Sequence, residues 1–107
     1  MDPGELDKRV LLLRLAETGR DGAGAPITEE VEIARPWAKV IEQGGREFFA
    51  ADGLQTEKRV VFRVWARDDL DTLTVFVRYR GVHHDIKDLR PFDDVTEIHT
   101  VARPVTT

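Results

Sequence analysis

His83-His84-Asp85 is the run in this chain that sets imidazoles beside a carboxylate, a donor set that divalent transition metals accept. In an extended strand His83 and Asp85 point one way and His84 the other, so at most two ligands converge locally. A third would have to be His99, which the sequence does not place. Side chains at a hairpin surface are the expected role, and no metal is assigned. Asp68, Asp69 and Asp71 offer oxygen ligands, but without the spacing, glycine and terminal glutamate of a calcium loop. Aspartate favours turns, and these residues are expected to join two strands.

Covalent catalysis has little to work with. The 107 residues include no cysteine and no serine, which excludes a disulfide, a thiolate zinc site and a serine or thiol nucleophile. No glycine elbow or helix start marks a threonine or aspartate nucleophile. Gly22-Ala23-Gly24 lacks the lysine and following helix of a phosphate loop. Glu42 and Glu47 form a carboxylate pair, but they flank Gly44-Gly45 on a segment expected to move, a poor mount for acid–base chemistry. No catalytic residue and no cofactor is expected.

The elements that carry these residues read as strands. Arg9, Leu11, Leu13 and Leu15 alternate with Val10, Leu12 and Arg14. Arg20 to Pro26 is turn-rich, and Ile27, Val31 and Ile33 then oppose Thr28, Glu30 and Glu32. Pro36 predicts a break before Trp37. Val60, Phe62, Val64 and Ala66 lie opposite Arg59, Arg63 and Arg67. Leu73, Val75, Val77 and Tyr79 alternate with Thr74, Phe76 and Arg78. Arg80-Gly81 predicts a tight hairpin into Val82, His84 and Ile86. A last strand presents either Thr96, Ile98 and Thr100 or Val95, Glu97, His99 and Val101 to the core, and alternation does not choose.

About six antiparallel strands in one domain, residues 1–107, are best closed as a small barrel or a sandwich, which removes exposed edges. Leu11, Val60, Phe62 and Val75 are expected to fill the interior. Residues 44–56 form one long loop or a short helix, with Arg46 to Gln55 as the helical option, favoured by Ala50-Ala51 and weakened by Gly53. The tail 103–107 is expected to fray.

Hydrophobic residues make up 41% and charged residues 34%, the balance of a folded rather than a disordered chain. No apolar run approaches the roughly 20 residues that cross a bilayer, and the acidic start has no secretory pattern. No membrane partner is expected, and the missing cysteines fit synthesis in a cytosol. A net charge of -4 argues against an all-round nucleic-acid footprint. Charge is nevertheless uneven. Residues 1–34 hold eight acids and four bases, and residues 58–80 hold six bases and three acids, so one half suits the opposite half of an identical neighbour.

A single-stranded nucleic-acid-binding barrel is the main rival, since Phe62, Trp65, Phe76 and Tyr79 interleave with arginines. Phe62 and Tyr79 share faces with valines and belong to the core. Trp65 and Phe76 lie on the faces of Arg63, Arg67 and Arg78. These five are candidates for subunit contact, where tryptophan and arginine are enriched.

The segment Trp37 to Phe49 supplies no nucleophile and no phosphate cradle. Gly44-Gly45 frees the backbone to leave a strand, and Phe48-Phe49 cannot both face one small core from an extended chain. Trp37-Ala38-Lys39-Val40, followed by Gly45-Arg46-Glu47-Phe48-Phe49-Ala50-Ala51, resembles the head–tail joining proteins of tailed bacteriophages, the head-closure or stopper family. Phe62-Arg63-Val64 and the Tyr79-Arg80-Gly81 to Asp85-Ile86 hairpin extend the similarity, which begins at Lys8-Arg9-Val10.

The resemblance implies a small β-barrel with a long loop, in the virion of a phage, prophage or gene transfer agent after assembly in the host cytoplasm. It implies a homo-oligomeric ring, a dodecamer in the virion, that closes the DNA exit channel after packaging and docks the tail. Portal or adaptor protein, tail-completion protein and non-specifically held double-stranded DNA are the implied partners. A tail-completion protein on a similar fold is the alternative within the connector. Gly44 and Gly45 are then a hinge, Phe48 and Phe49 an apolar anchor, and Arg46 and Glu47 a pair across the subunit boundary.

Overall fold

The computed structural model describes residues 3–43, 49–50, 53–54 and 58–103. A single 3₁₀ turn, Pro3–Glu5, precedes ten strands. They are β1 (Lys8–Arg9), β2 (Leu11–Arg20), β3 (Pro26–Ala34), β4 (Trp37–Gln43), β5 (Phe49–Ala50), β6 (Gly53–Leu54), β7 (Lys58–Trp65), β8 (Val75–Tyr79), β9 (Val82–Phe92) and β10 (Val95–Ala102). Eight of them form one antiparallel sheet in the order β1-β4-β7-β10-β9-β8-β2-β3.

That count exceeds the six expected because two chain passes are each divided. Val10 separates β1 from β2, and Arg35-Pro36 separates β3 from β4. Proline has no N–H for a ladder, so the pass breaks where Pro36 sits. The break is bridged by Val10 N–H donating to the Pro36 carbonyl at 3.2 Å. The sheet curls until its two edges share one chain pass: residues 8–9 pair with β4, and residues 11–14 pair with β8. Six passes therefore make a barrel, closed along the wall where β1 and β2 pair with β4 and β8.

Its interior is Val10, Leu12, Ala38, Val60, Phe62, Val64, Val75, Val77, Tyr79, Ile86 and Ile98. Leu11 was expected inside, and this is corrected. Leu12 pairs with Val77 and Leu11 with Arg78, and cross-strand partners share a face, so Leu12 points inward. Four consecutive apolar residues left alternation blind to that choice. The last strand resolves to Thr96, Ile98 and Thr100 inside. The Thr100 hydroxyl donates to the Val60 carbonyl at 2.7 Å, which satisfies a buried polar group.

Residues 66–74 carry the chain from β7 across one end of the barrel to β8. Arg14 donates to the Asp69 carbonyl at 2.9 Å, and Ala66 N–H donates to the Asp94 carbonyl at 2.9 Å, so the crossing is tied on both sides. At the other end Arg80-Gly81 turns the β8–β9 hairpin with φ of 52° and 76°, the left-handed backbone such two-residue turns require.

The outer halves of β2 and β3 leave the barrel as a two-stranded arm. Pairing of β2 with β8 stops at Arg14–Val75, and from there to Arg20 its strand partner is β3 alone. Alternation against Thr28, Glu30 and Glu32 puts Ile27 and Val31 on the inner face. They are 44% and 45% exposed, because no second layer covers the arm, and of that face Ile33 alone reaches the core.

The 44–56 segment lies largely outside the described residues, as do 104–107 of the tail. Where it is described it is extended: Phe49 pairs with Leu54 and Ala50 with Gly53. The helical option fails at these four residues. Gly53 weakens a helix by about 1 kcal/mol relative to alanine, and antiparallel pairing prevails.

Candidate functional site

The outer surface of β4, β7, β10 and β9 carries the accessible side chains of interest. Trp65 pairs with Val95, and Val95 with Phe92, so the three share a face at one end of the barrel. Trp37 continues that row, one alternation beyond the Lys39–Arg63 pair. Trp37 is 49%, Trp65 42% and Phe92 53% exposed. A shallow groove of about 600 Å³ runs between the tryptophans, floored by Leu6 and Pro36 and edged by Arg67. The Arg9 guanidinium stands over the Trp37 ring at 4.8 Å. Large aromatics grouped on a surface mark a place where another surface docks.

Of the expected contact residues, Trp65 is available and Phe76 is not. Phe76 does lie on the outer face, but only 3% of it is exposed. It stacks on His83, with Leu13 beside it and the Arg78 guanidinium 5.6 Å from its ring. The arginines are engaged within the chain. Arg63 grips Glu97 with bonds of 2.6 and 3.0 Å, Arg67 grips Asp69 with 2.7 and 3.0 Å, and Arg78 holds Glu30 at 2.8 Å. Burial raises the Glu97 pKa, yet hydrogen bonds from Arg63 and His99 hold it below its ordinary value. Gly44, Gly45, Arg46, Glu47 and Phe48 lie outside the described residues, and Phe49 is described by its place in β5.

The sequence-flagged titratable residues serve structure. His84 is in the core, its Nδ1 bonded to the Val82 carbonyl at 2.9 Å and its ring edge-on to Phe62. His83 faces out and meets Asp85 at 3.1 Å, as strand alternation predicts. Burial depresses the pKa of both histidines. Asp71 accepts from the N–H groups of Leu73, Thr74 and Val75 and from the Thr74 hydroxyl. Those bonds, led by Thr74, pull its pKa down to about 2. Among the described residues no three histidine, aspartate or glutamate side chains gather where they could hold a metal ion.

A second groove of about 420 Å³ lies further along the same outer face, with Arg59, Lys87, Arg90 and His99 around Val61 and Val101. Sequence reasoning missed this groove, Phe92 and the arm. The signal for the arm was present: adjacent Glu29-Glu30 places an acid on each face of β3, which no buried strand tolerates.

The barrel leaves an aromatic row open, and its described histidines and Asp71 are taken up in hydrogen bonding within the chain. The chain is a member of the phage head completion protein family, whose profile matches residues 1–103. It is thus a structural protein of the virion. A solved structure described as the virion of a native gene transfer agent particle contains a chain of similar fold. The two are 18% identical, with a TM-score of 0.66, over 94% of this chain and 97% of that one. Comparison with curated proteins returns no match.

Proposed function

We propose that this chain is a head-closure protein of the head–tail connector of a phage, prophage or gene transfer agent. Copies assemble as a ring, a dodecamer in the virion, beneath the portal and adaptor. The ring seals the DNA exit channel after packaging and presents a surface to the tail-completion protein. Packaged double-stranded DNA meets the channel through backbone contacts without sequence choice. The 44–49 segment, with Gly44 and Gly45 as hinge and Phe48 and Phe49 as anchor, supplies the part that faces a neighbour or the channel. Membership of the head completion family supports this reading.

The observation that carries it is the aromatic row of Trp37, Trp65 and Phe92, half-exposed on a barrel that needs none of the three for its core. Interface energy concentrates in such aromatics. Particles carrying Trp37→Ser with Trp65→Ser test it. Heads should fill but fail to join tails, with tailed particles down tenfold or more, and the purified variant should melt close to the parent. Normal tailed-particle yield would remove the support of this surface. The nucleic-acid alternative is disfavoured by geometry: Phe62 and Tyr79 are core residues, and Arg63, Arg67 and Arg78 are paired with carboxylates.

A further inference from the structure

We infer that the β2–β3 arm of one copy lies in the Arg59–Lys87–Arg90 groove of a second copy, and that this contact joins subunits head to tail. The inference rests on the ring reading above.

Three observations carry it. The first is charge. Residues 15–32 hold Glu17, Asp21, Glu29, Glu30 and Glu32 against Arg20. Glu17 pairs with Arg20, Glu30 with Arg78 and Glu32 with Arg35, which leaves Asp21 and Glu29 outside those pairs. The groove is lined by three cations and no carboxylate, with Asp88 beside it on Arg90. Opposite charges desolvated together steer the encounter and fix its register.

The second is apolar surface. Leu15, Ile27 and Val31 are each more than 40% exposed on the arm. Ile27 and Val31 share one face of the arm, with Leu15 on the other, where its N–H donates to the Thr74 carbonyl. Val61 and Val101 offer the groove an apolar floor. Among the described residues the outer edge of β3 has no strand partner, and such edges are protected by covering.

The third is placement. The arm departs from the pass that contains β2, and the groove is centred on β10. In the closed order, β10 is three passes from β2 in either direction, through β7 and β4 or through β9 and β8. Arm and groove therefore stand on opposite sides of the barrel. A patch and its complement on opposite sides cannot meet within one molecule or in a two-fold dimer. They generate a heterologous contact, which closes into a ring when the rotation per copy permits. The base of the arm is held for this task, because Arg78 of β8 reaches past β2 to clamp Glu30 of β3 at 2.8 Å.

The absence of cysteine gives a direct test. Glu29→Cys and Lys87→Cys are introduced singly and together, and assembled particles are oxidised. The double variant should give a ladder of covalent multimers, and a mixture of the single variants should give dimers and nothing larger. An amine-reactive cross-linker serves as the reference. Multimers with that reagent but none through the cysteines would overturn the arm–groove contact and leave the ring standing. No multimers with either would overturn both. A second arm of the experiment reverses charge: Glu17→Lys with Glu29→Lys, or Lys87→Glu with Arg90→Glu, should each cut assembly tenfold or more. Combining the four should restore it, and failure of the combination to rescue a well-folded chain would count against the pairing.

Discussion

Phe76 lies flat on His83, the ring centroids 4.0 Å apart and the planes within 2° of parallel. The pair forms a satellite cluster outside the barrel wall, with Leu13 at 5% exposure beneath the foot of the arm. Phe76→Ala should therefore behave as a core substitution and cost about 3–4 kcal/mol. Urea unfolding of the purified chain measures it. A loss below about 1 kcal/mol, the range of surface changes, would mean that Phe76 is free to contact another subunit after all.

The two lowered histidines give a pH signature. Burial is the main cause for both; Arg103 and Arg78 add to it at His83 against the opposing pull of Asp85, and Lys58 adds to it at His84 against bonds to the Val82 and Val77 carbonyls. A histidine whose folded pKa lies below its ordinary 6.5 favours the neutral form in the fold. Its unfolded state then binds more protons, so stability is full above 6.5 and falls as pH drops below it. Melting temperature should decline as pH falls below 6.5, and His84→Phe should flatten that decline. An unchanged slope in this variant would relieve His84 of the role. The depressed carboxylates of Asp85 and Glu97 act in a separate window: they stabilise above their ordinary values and lose that contribution at lower pH.

Asp71 fixes the end of the crossing that returns the chain to β8, and it does so as a local cap rather than an ion ligand. Asp71→Ala removes an acceptor shared by three backbone N–H groups and should cost about 1–2 kcal/mol, the scale of a lost cap. Asp71→Asn should recover part of that loss, because its amide oxygen still accepts. The acid side is equally specific. With the folded pKa near 2, the contribution of Asp71 is complete above its ordinary 3.8 and disappears as pH falls toward 2. Calcium titration should leave the melting temperature unchanged. A calcium-dependent rise of several degrees would reinstate the ligand reading.

The barrel wall was legible because β7 and β8 alternate cleanly: Val60, Phe62 and Val64 against arginines, Val75 and Val77 against Phe76 and Arg78. The hairpin at Arg80-Gly81 was legible from turn chemistry, and the break before Trp37 from Pro36. Residues 10–13 were not, because an unbroken apolar run hides which face is inside until a partner strand supplies the register. Exposure was harder still. Phe76 sits on the arginine side yet is buried, since a satellite cluster obeys no alternation. Ile27 and Val31 alternate properly yet are exposed, since alternation reports a face and says nothing of whether another layer covers it. Ion pairs such as Arg63–Glu97 join residues 34 positions apart, a separation no local pattern encodes.

The 44–49 segment offers the sharpest test of the head-closure role. It leaves the barrel from Gln43, which is held against Arg59, and the chain re-enters the wall at Lys58. Between them the sequence sets Gly44-Gly45 before Arg46-Glu47 and Phe48-Phe49, and a short pairing of Phe49 with Leu54 follows. The assigned role makes Phe48 and Phe49 interface anchors. Replacing both with Ser should therefore leave the melting temperature of the purified chain within a few degrees of the parent, because interface anchors contribute mainly to the contact they make. Joining of filled heads to tails should fall tenfold or more, with DNA leaking from heads left unsealed. Gly44→Pro with Gly45→Pro should give the same phenotype through the backbone, since proline fixes φ where a hinge needs freedom. If the double Ser variant instead loses several kcal/mol, on the scale of roughly 3–5 for a buried aromatic, the pair belongs to the fold. A variant that melts normally and still joins heads to tails would strip the segment of its assigned role.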